Sequence, residues 1–168
     1  MGLNQLNTQL RNDAISHGLC EQWQNDWSKE EMVQKMFKGI DFCLKHRLPS
    51  NDFIKENFDL DFRRANNVLV DDRWSFLNPP QALILGESRT TIRINRRYQS
   101  NLYIRDNSKV KLIASNYVFV IVELMDYARI DVEAKDNAFV CVISHSKDAR
   151  CLTDSPNCHF EKEYDWLK

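Results

Sequence analysis

Glycine and proline are scarce in this chain of 168 residues, at four each. That scarcity excludes a Gly-rich phosphate loop and a Gly- or Pro-rich linker between domains. No apolar run approaches the roughly 18 residues that cross a bilayer as a helix. Net charge is missing too: 23 Lys and Arg against 24 Asp and Glu leave a formal −1. A balance so close to zero argues against a nucleic-acid partner and against an acidic tail. The opening residues, MetGlyLeuAsnGlnLeuAsnThr, show neither the basic nor the apolar region of a secretory signal. Leu6 also stands where myristoylation needs Ser or Thr. The expectation is a cytoplasmic protein with no membrane partner. Five cysteines, Cys20, Cys43, Cys141, Cys151 and Cys158, are an odd number and suit that compartment. The length and the 43% hydrophobic content describe one domain, or one small domain plus an appendage.

What is present is a repeat. Between Gln81 and Thr153 a short apolar-alternating run, a polar turn and a second such run recur four times. The copies are 82–86 with 91–94, 102–104 with 110–113, 119–124 with 129–132, and 139–143 with 149–152. Ile84, Leu102, Val120 and Val140 align at spacings of 18, 18 and 20, and Ile92, Val110, Ile130 and Cys151 at 18, 20 and 21. A second pair of columns follows two residues on, Ile104–Val122–Val142 and Ile94–Leu112–Val132, as the strand period of two requires. Columns in register signify stacked units that bury apolar rows against their neighbours. Turns at 106–108, 125–128 and 136–138 supply Asp and Asn, which tolerate left-handed backbone. The predicted fold class is α+β: N-terminal short helices, then a short single-stranded β-helix of about four coils. An antiparallel β-sandwich is the competing arrangement, since strands at this spacing form those too.

Residues 1–65 read as a helical cap or docking segment and 66–168 as the β-helix region with a C-terminal cap. Leu3, Leu6, Leu10 and Ala14 predict a helix over 3–16 stopped by Gly18, and a short one follows over 19–27. Ser28 and Glu31 have capping-box spacing, and an apolar stripe from Met32 to Leu44 predicts one long helix ending at Lys45–His46–Arg47. Pro49 stops it and Ser50 caps another to about Asn57. Val68–Leu77 or the helices are expected to close the first end of the array, and Phe160, Tyr164, Trp166 and Leu167 the other.

CysGluGlnTrp (20–23), PheLysGlyIleAspPheCysLeu (37–44), ProSerAsnAspPheIle (49–54) and AsnLeuTyrIleArgAspAsnSerLysVal (101–110) carry a resemblance. The chain resembles, over most of its length, a group of small uncharacterised bacterial proteins with an N-terminal helical segment and C-terminal β repeats. That resemblance implies the layout and brings no activity, cofactor or site. The repeats alone are similar in style to bactofilin-like coils, which polymerise end to end. This chain differs in its helical region, its few coils and its Asn/Asp turns.

Reactive residue types are sparse. His145, Cys151, Cys158 and His159 are the metal-ligand types that cluster, but their gaps of six, seven and one depart from paired zinc spacing. No metal and no cofactor is expected. Cys–His nucleophilic pairs have no local signature here. Asp71–Asp72 and Glu161 with Glu163 read as solvated carboxylates. The predicted register also stacks outward residues: Thr91, Lys109, Arg129 and Arg150 form a mostly basic column, beside which Arg93 and Lys111 lead to Asp131. Arg96, Arg97 and Arg105 add positive charge, and Glu123, Asp126, Glu133 and Asp136 make the third coil acidic. The expected function is a non-enzymatic binding or assembly module built on the β-helix, with a protein partner or self-association. Two alternatives accompany it: polyanion binding through the basic column, and a small carbohydrate-acting or other hydrolase with its site at the helix/β junction.

Overall fold

A computed structural model describes residues 2–19, 26–96 and 98–165. The chain divides into two compact units, Met1–Asn66 and Asn67–Lys168.

The first unit is helical. Helix α1 (Leu3–Ser16) buries Leu6, Leu10 and Ala14 as its spacing requires, and also Asn7. That asparagine grips the backbone of Trp27, donating to its carbonyl at 2.9 Å and accepting from its N–H at 2.8 Å. The expected second helix lies largely outside the described residues; Leu19, Asp26 and Trp27 are not helical. Ser28 caps the next helix through the predicted box: its hydroxyl accepts from Glu31 N–H, and the Glu31 carboxylate accepts from Ser28 N–H. The single long helix is nevertheless two, α2 (Lys29–Lys38) and α3 (Ile40–His46), separated at Gly39. Glycine is a poor helix former next to alanine, and one non-helical residue there re-aims the apolar stripe. After Pro49, Ser50 caps α4 (Asn51–Asn57), and Asp59 caps a helix not foreseen, α5 (Leu60–Ala65). Phe58, between the two, is buried and stacks on Phe62 with 5.4 Å between ring centroids.

The second unit is a parallel β-solenoid. Strands β1 (Val68–Val70), β2 (Arg73–Leu77), β3 (Gln81–Leu85), β4 (Arg89–Ile94), β5 (Gln99–Ile104) and β6 (Lys109–Ala114) open it. It continues with β7 (Phe119–Leu124), β8 (Arg129–Ala134), β9 (Phe139–Ser144), β10 (Arg150–Leu152) and β11 (Cys158–Lys162). Odd strands build one sheet in the order β1-β3-β5-β7-β9-β11 and even strands the other, β10-β8-β6-β4-β2. Every pairing is parallel, so the β-helix is the fold and the antiparallel sandwich is ruled out. Four coils, β3–β4 to β9–β10, follow the predicted copies. Val68–Leu77 forms a shorter coil before them, and β11 adds a final rung. Phe160 pairs with Val142 and so continues an inward column on that rung, where it stays partly exposed; Trp166 and Leu167 lie outside the described residues.

The register differs from expectation. Ile84 pairs with Ile104 and Ala82 with Leu102, while Leu102 pairs with Val122. Thr90 pairs with Val110, and Ile92 with Leu112. The links at 18 residues are therefore wrong by two, and the central coils repeat at a constant 20 (Lys109 opposite Arg129, Phe119 opposite Phe139). A slip of one residue would turn every apolar side chain outward, whereas a slip of two keeps them all inside. The apolar pattern alone cannot choose between the two registers. The turns choose. Asp71, Asp106 and Asp126 hold positive φ, and Gly86 occupies the equivalent place at φ +69°. Each turn carboxylate ties to an adjacent coil: Asp106 Oδ2 accepts from Gly86 N–H at 2.7 Å, Asp126 Oδ2 from Asp106 N–H at 3.2 Å, and Asp71 Oδ1 from Glu87 N–H at 2.9 Å. Backbone bonds continue through the corners as well, Asn107 N–H to Gly86 and Tyr127 N–H to Asp106, both at 3.0 Å.

Inside, the columns Ala82–Leu102–Val122–Val142 and Ile92–Leu112–Val132 face each other, and the smaller Ile94–Ala114–Ala134 column narrows one edge. Val120 and Ile130 belong to this core, both essentially inaccessible. Replacing either by Asp buries an unpaired charge, which costs about 3–5 kcal/mol. The expected result is loss of the cooperative melting transition of the β unit. A soluble Val120→Asp protein that still melts cooperatively at the wild-type temperature would refute the inward placement.

Candidate anion-binding face

In a strand, alternate side chains leave the sheet on one side, and in a parallel stack they align with those of the next rung roughly 4.8 Å away. On the even-numbered sheet this geometry assembles one column of cations. Arg73 pairs with Arg89, Arg89 with Lys109, Lys109 with Arg129 and Arg129 with Arg150. All five side chains are exposed. Across four rung spacings the line is roughly 19 Å long. Of the predicted column, Lys109, Arg129 and Arg150 are members, whereas Thr91 is replaced by Arg89 and Arg73 was missed. Both errors come from the register: with 20-residue spacing Arg89 is in line, and Arg73 sits on the short first coil outside the four copies.

Flanking columns complete the face. Ser75, Thr91, Lys111, Asp131 and Leu152 form the next, and Leu77, Arg93, Ile113 and Glu133 the one after. Lys111 is engaged: its Nζ lies 2.6 Å from Glu133, which also meets Lys135 at 3.4 Å. The hydrogen bond and charge of Glu133 raise the Lys111 ammonium above its ordinary value, and the same contact lowers the Glu133 carboxyl. Arg93 is exposed beside Ile113. These two residues therefore border the column and do not extend it. Arg105 leaves the surface altogether, buried with its Nε 3.5 Å from Asp106; Arg97 is outside the described residues. Between the first two columns runs an open groove of ≈ 660 Å³ lined by Arg73, Arg89, Lys109, Ser75, Thr91 and Lys111, with Trp74, Thr90 and Val110 beneath. A second hollow on the turn side, with Glu87 and Asn107, shares Arg73, Arg89 and Lys109. Among the described residues no carboxylate lines the groove. Among the described residues, Arg73, Arg89, Lys109 and Arg129 make no ion pair; Arg150 donates to the carbonyls of Lys147 and Ala149.

The other predicted chemistry is dispersed. Among the described residues no group of three or more His, Cys, Asp or Glu is placed to hold a metal ion. His159 turns to Glu161 at 2.8 Å on the exposed side of β11. His145 is buried between Glu123 Oε2, at 3.2 Å from Nε2, and the Glu163 carbonyl, at 3.0 Å from Nδ1. Cys151 and Cys158 do meet, without either histidine. Cavities in the helical unit, one apolar and lined by Leu10, Met32 and Met36, the other along α1, hold one carboxylate at most, that of Asp13.

Compared with known proteins, the chain matches no family model, and no curated protein and no solved structure is significantly similar to it.

His145 yields a pH test. Burial opposes its charge, but the Glu123 carboxylate, the Glu163 carbonyl and the charges of both glutamates outweigh burial and raise the ring above its ordinary 6.5. A raised folded value means the protonated ring stabilises the fold fully below pH 6.5, and that contribution fades as pH climbs through the folded-state value. The melting temperature of the β unit is expected to fall across that window, and to lose that component of its pH dependence in His145→Gln. Identical pH profiles for the two proteins would contradict it.

Proposed function

We propose that this protein is a non-enzymatic binding module whose ligand is an extended anionic polymer laid along the solenoid axis on the even-numbered sheet. The observation that carries this reading is the unneutralised file of Arg73, Arg89, Lys109, Arg129 and Arg150. Like charges directly opposite each other on neighbouring strands destabilise a sheet. A polyanion removes that repulsion and releases its own counterions, so binding is strongest at low salt. The overall charge near zero does not oppose this, because several acidic residues are engaged elsewhere: Glu123 with His145, Glu133 with two lysines, Asp106 and Asp126 in the turns. Glu87 and Asp131 border the column and pair with none of its members. Arginine supplies four of the five rungs and suits phosphate or sulfate through paired N–H groups.

Retention on immobilised heparin and on polyphosphate resin tests the reading. The expectation is retention at low ionic strength, released by moderate salt, and weakened at least roughly tenfold in Lys109→Glu/Arg129→Glu, in line with the charges removed. Arg93→Glu, off the column, is expected to retain most of the binding. No retention at low salt, or equal retention of the double variant, would overturn the proposal.

A second reading, association between copies, rests on a separate observation. β10 and β11 are the outermost strands of their sheets at the C-terminal end, and Leu152 and Phe160 are exposed on them. Outermost strands present unpaired backbone groups to another chain. Light scattering is expected to show a defined oligomer that Leu152→Lys shifts toward monomer; a monomer at every concentration would end this reading.

A further inference from the structure

The final coil brings two thiols together. Cys151, on β10, continues the inward column of Ile130, and Cys158, on β11, continues that of Val140. They thus face one another from opposite sheets, across the position that a further coil's apolar core would occupy. Both pack against the core and both remain partly exposed. The two thiols lie close enough for each to shift the other's proton affinity. The connection between them is pinned in place. The Thr153 hydroxyl donates to the Val132 carbonyl at 3.0 Å, the Ser155 hydroxyl accepts from Ala134 N–H at 2.9 Å, and Cys158 N–H donates to the Ser155 carbonyl at 3.1 Å. Neither thiol serves the cationic column, and both stand free in this structure.

We propose that Cys151 and Cys158 form a redox-active dithiol site at the end of the solenoid, which takes small disulfides of the glutathione class and closes to an intramolecular disulfide joining β10 to β11. The roles are unequal. The contact with Cys151, with lesser help from the charge of His159, outweighs burial and brings the Cys158 thiol down to about 7. The same contact and burial push Cys151 upward. Cys158 is therefore the attacking thiolate. It forms a bond to one sulfur of the small disulfide and expels the other as a thiolate. Cys151 then gives up its proton to solvent and attacks the Cys158 sulfur, forming the Cys151–Cys158 bond and expelling the second small thiolate. Two protein thiols are oxidised and one small disulfide is reduced to two thiols. Cys141 is the internal comparison: it stands opposite His159 on the outer side of β9, and burial with the charges of Glu161 and Cys158 raises its thiol.

The test uses the full chain with glutathione disulfide at neutral pH, followed by alkylation and peptide mapping by mass. Wild-type protein is expected to yield a cross-linked Cys151–Cys158 peptide with no lasting glutathione adduct. Cys151→Ser is expected to keep the adduct on Cys158, formed at least roughly tenfold faster than any on Cys141, as the thiolate fractions require. Cys158→Ser is expected to leave Cys151 unmodified. Two free thiols after treatment of wild type, a lasting adduct on wild-type Cys158, or an adduct on Cys151 in Cys158→Ser would each overturn the proposal. Both serines are close in size to the thiols they replace, and an unchanged circular dichroism spectrum verifies the fold. The outcome does not depend on whether the cationic face binds a polyanion.

Discussion

The coil-to-coil backbone ladder, at a constant 20 residues through the centre of the array, is the constraint on which the β unit depends. Each coil has two strands and two corners, and the hydrogen bonds do not stop where the strands end. Corner aspartates in left-handed conformation turn the chain, and their carboxylates bind N–H groups of the neighbouring rung. The corner therefore does for register what an apolar row cannot. Once it is set, the inward columns stack aliphatic on aliphatic, Val122 on Val142 and Leu112 on Val132, and the outward columns stack whatever the alternate positions carry.

The cationic file is a consequence of that register and acts against the stability it confers. Five positive rungs about 4.8 Å apart repel one another across the sheet, and the well-filled interior behind them absorbs the cost. Neighbouring columns treat charge differently. Lys111 and Lys135 share Glu133, and His145 lies between the Glu123 carboxylate and the Glu163 carbonyl. The column of five cations thus differs from the Lys111–Glu133–Lys135 cluster beside it, and the proposed polyanion site rests on that difference.

Among the described residues β10 and β11 are the last rungs of their sheets. A repeat buries its interior against the next repeat, so the final one must cover its own. Here that position is filled by small polarisable thiols at 151 and 158, with Thr153 and Ser155 tying the connecting loop to β8. Residues that are inert hydrophobes in a closed core become half-exposed and chemically accessible at an open end. Their reactivity follows from position in the array more than from residue type.

Much of the layout was legible from local signals, because those signals are local physics. Ser28 with Glu31, Ser50, and alternation at every second residue from 119 to 143 each act within a few residues of themselves. Asp59 carried the same signal for α5 and was passed over, while Gly39 divided a helix that its apolar stripe would have continued. The repeat and the helical beginning were thus determined by sequence alone, whereas the parallel pairing, favoured by the columns in register, was decided against a sandwich by the structure. Register was not determined by sequence either, because two-residue slips leave every aliphatic side chain inside, and corner hydrogen bonds across coils, those of Asp71, Asp106 and Asp126 among them, break the tie. Tertiary structure therefore decided which cations share a column, that Arg105 is buried, and that two cysteines seven residues apart face each other from opposite sheets. These are relations between rungs, and a linear pattern with period two carries no information about which rung lies beside which.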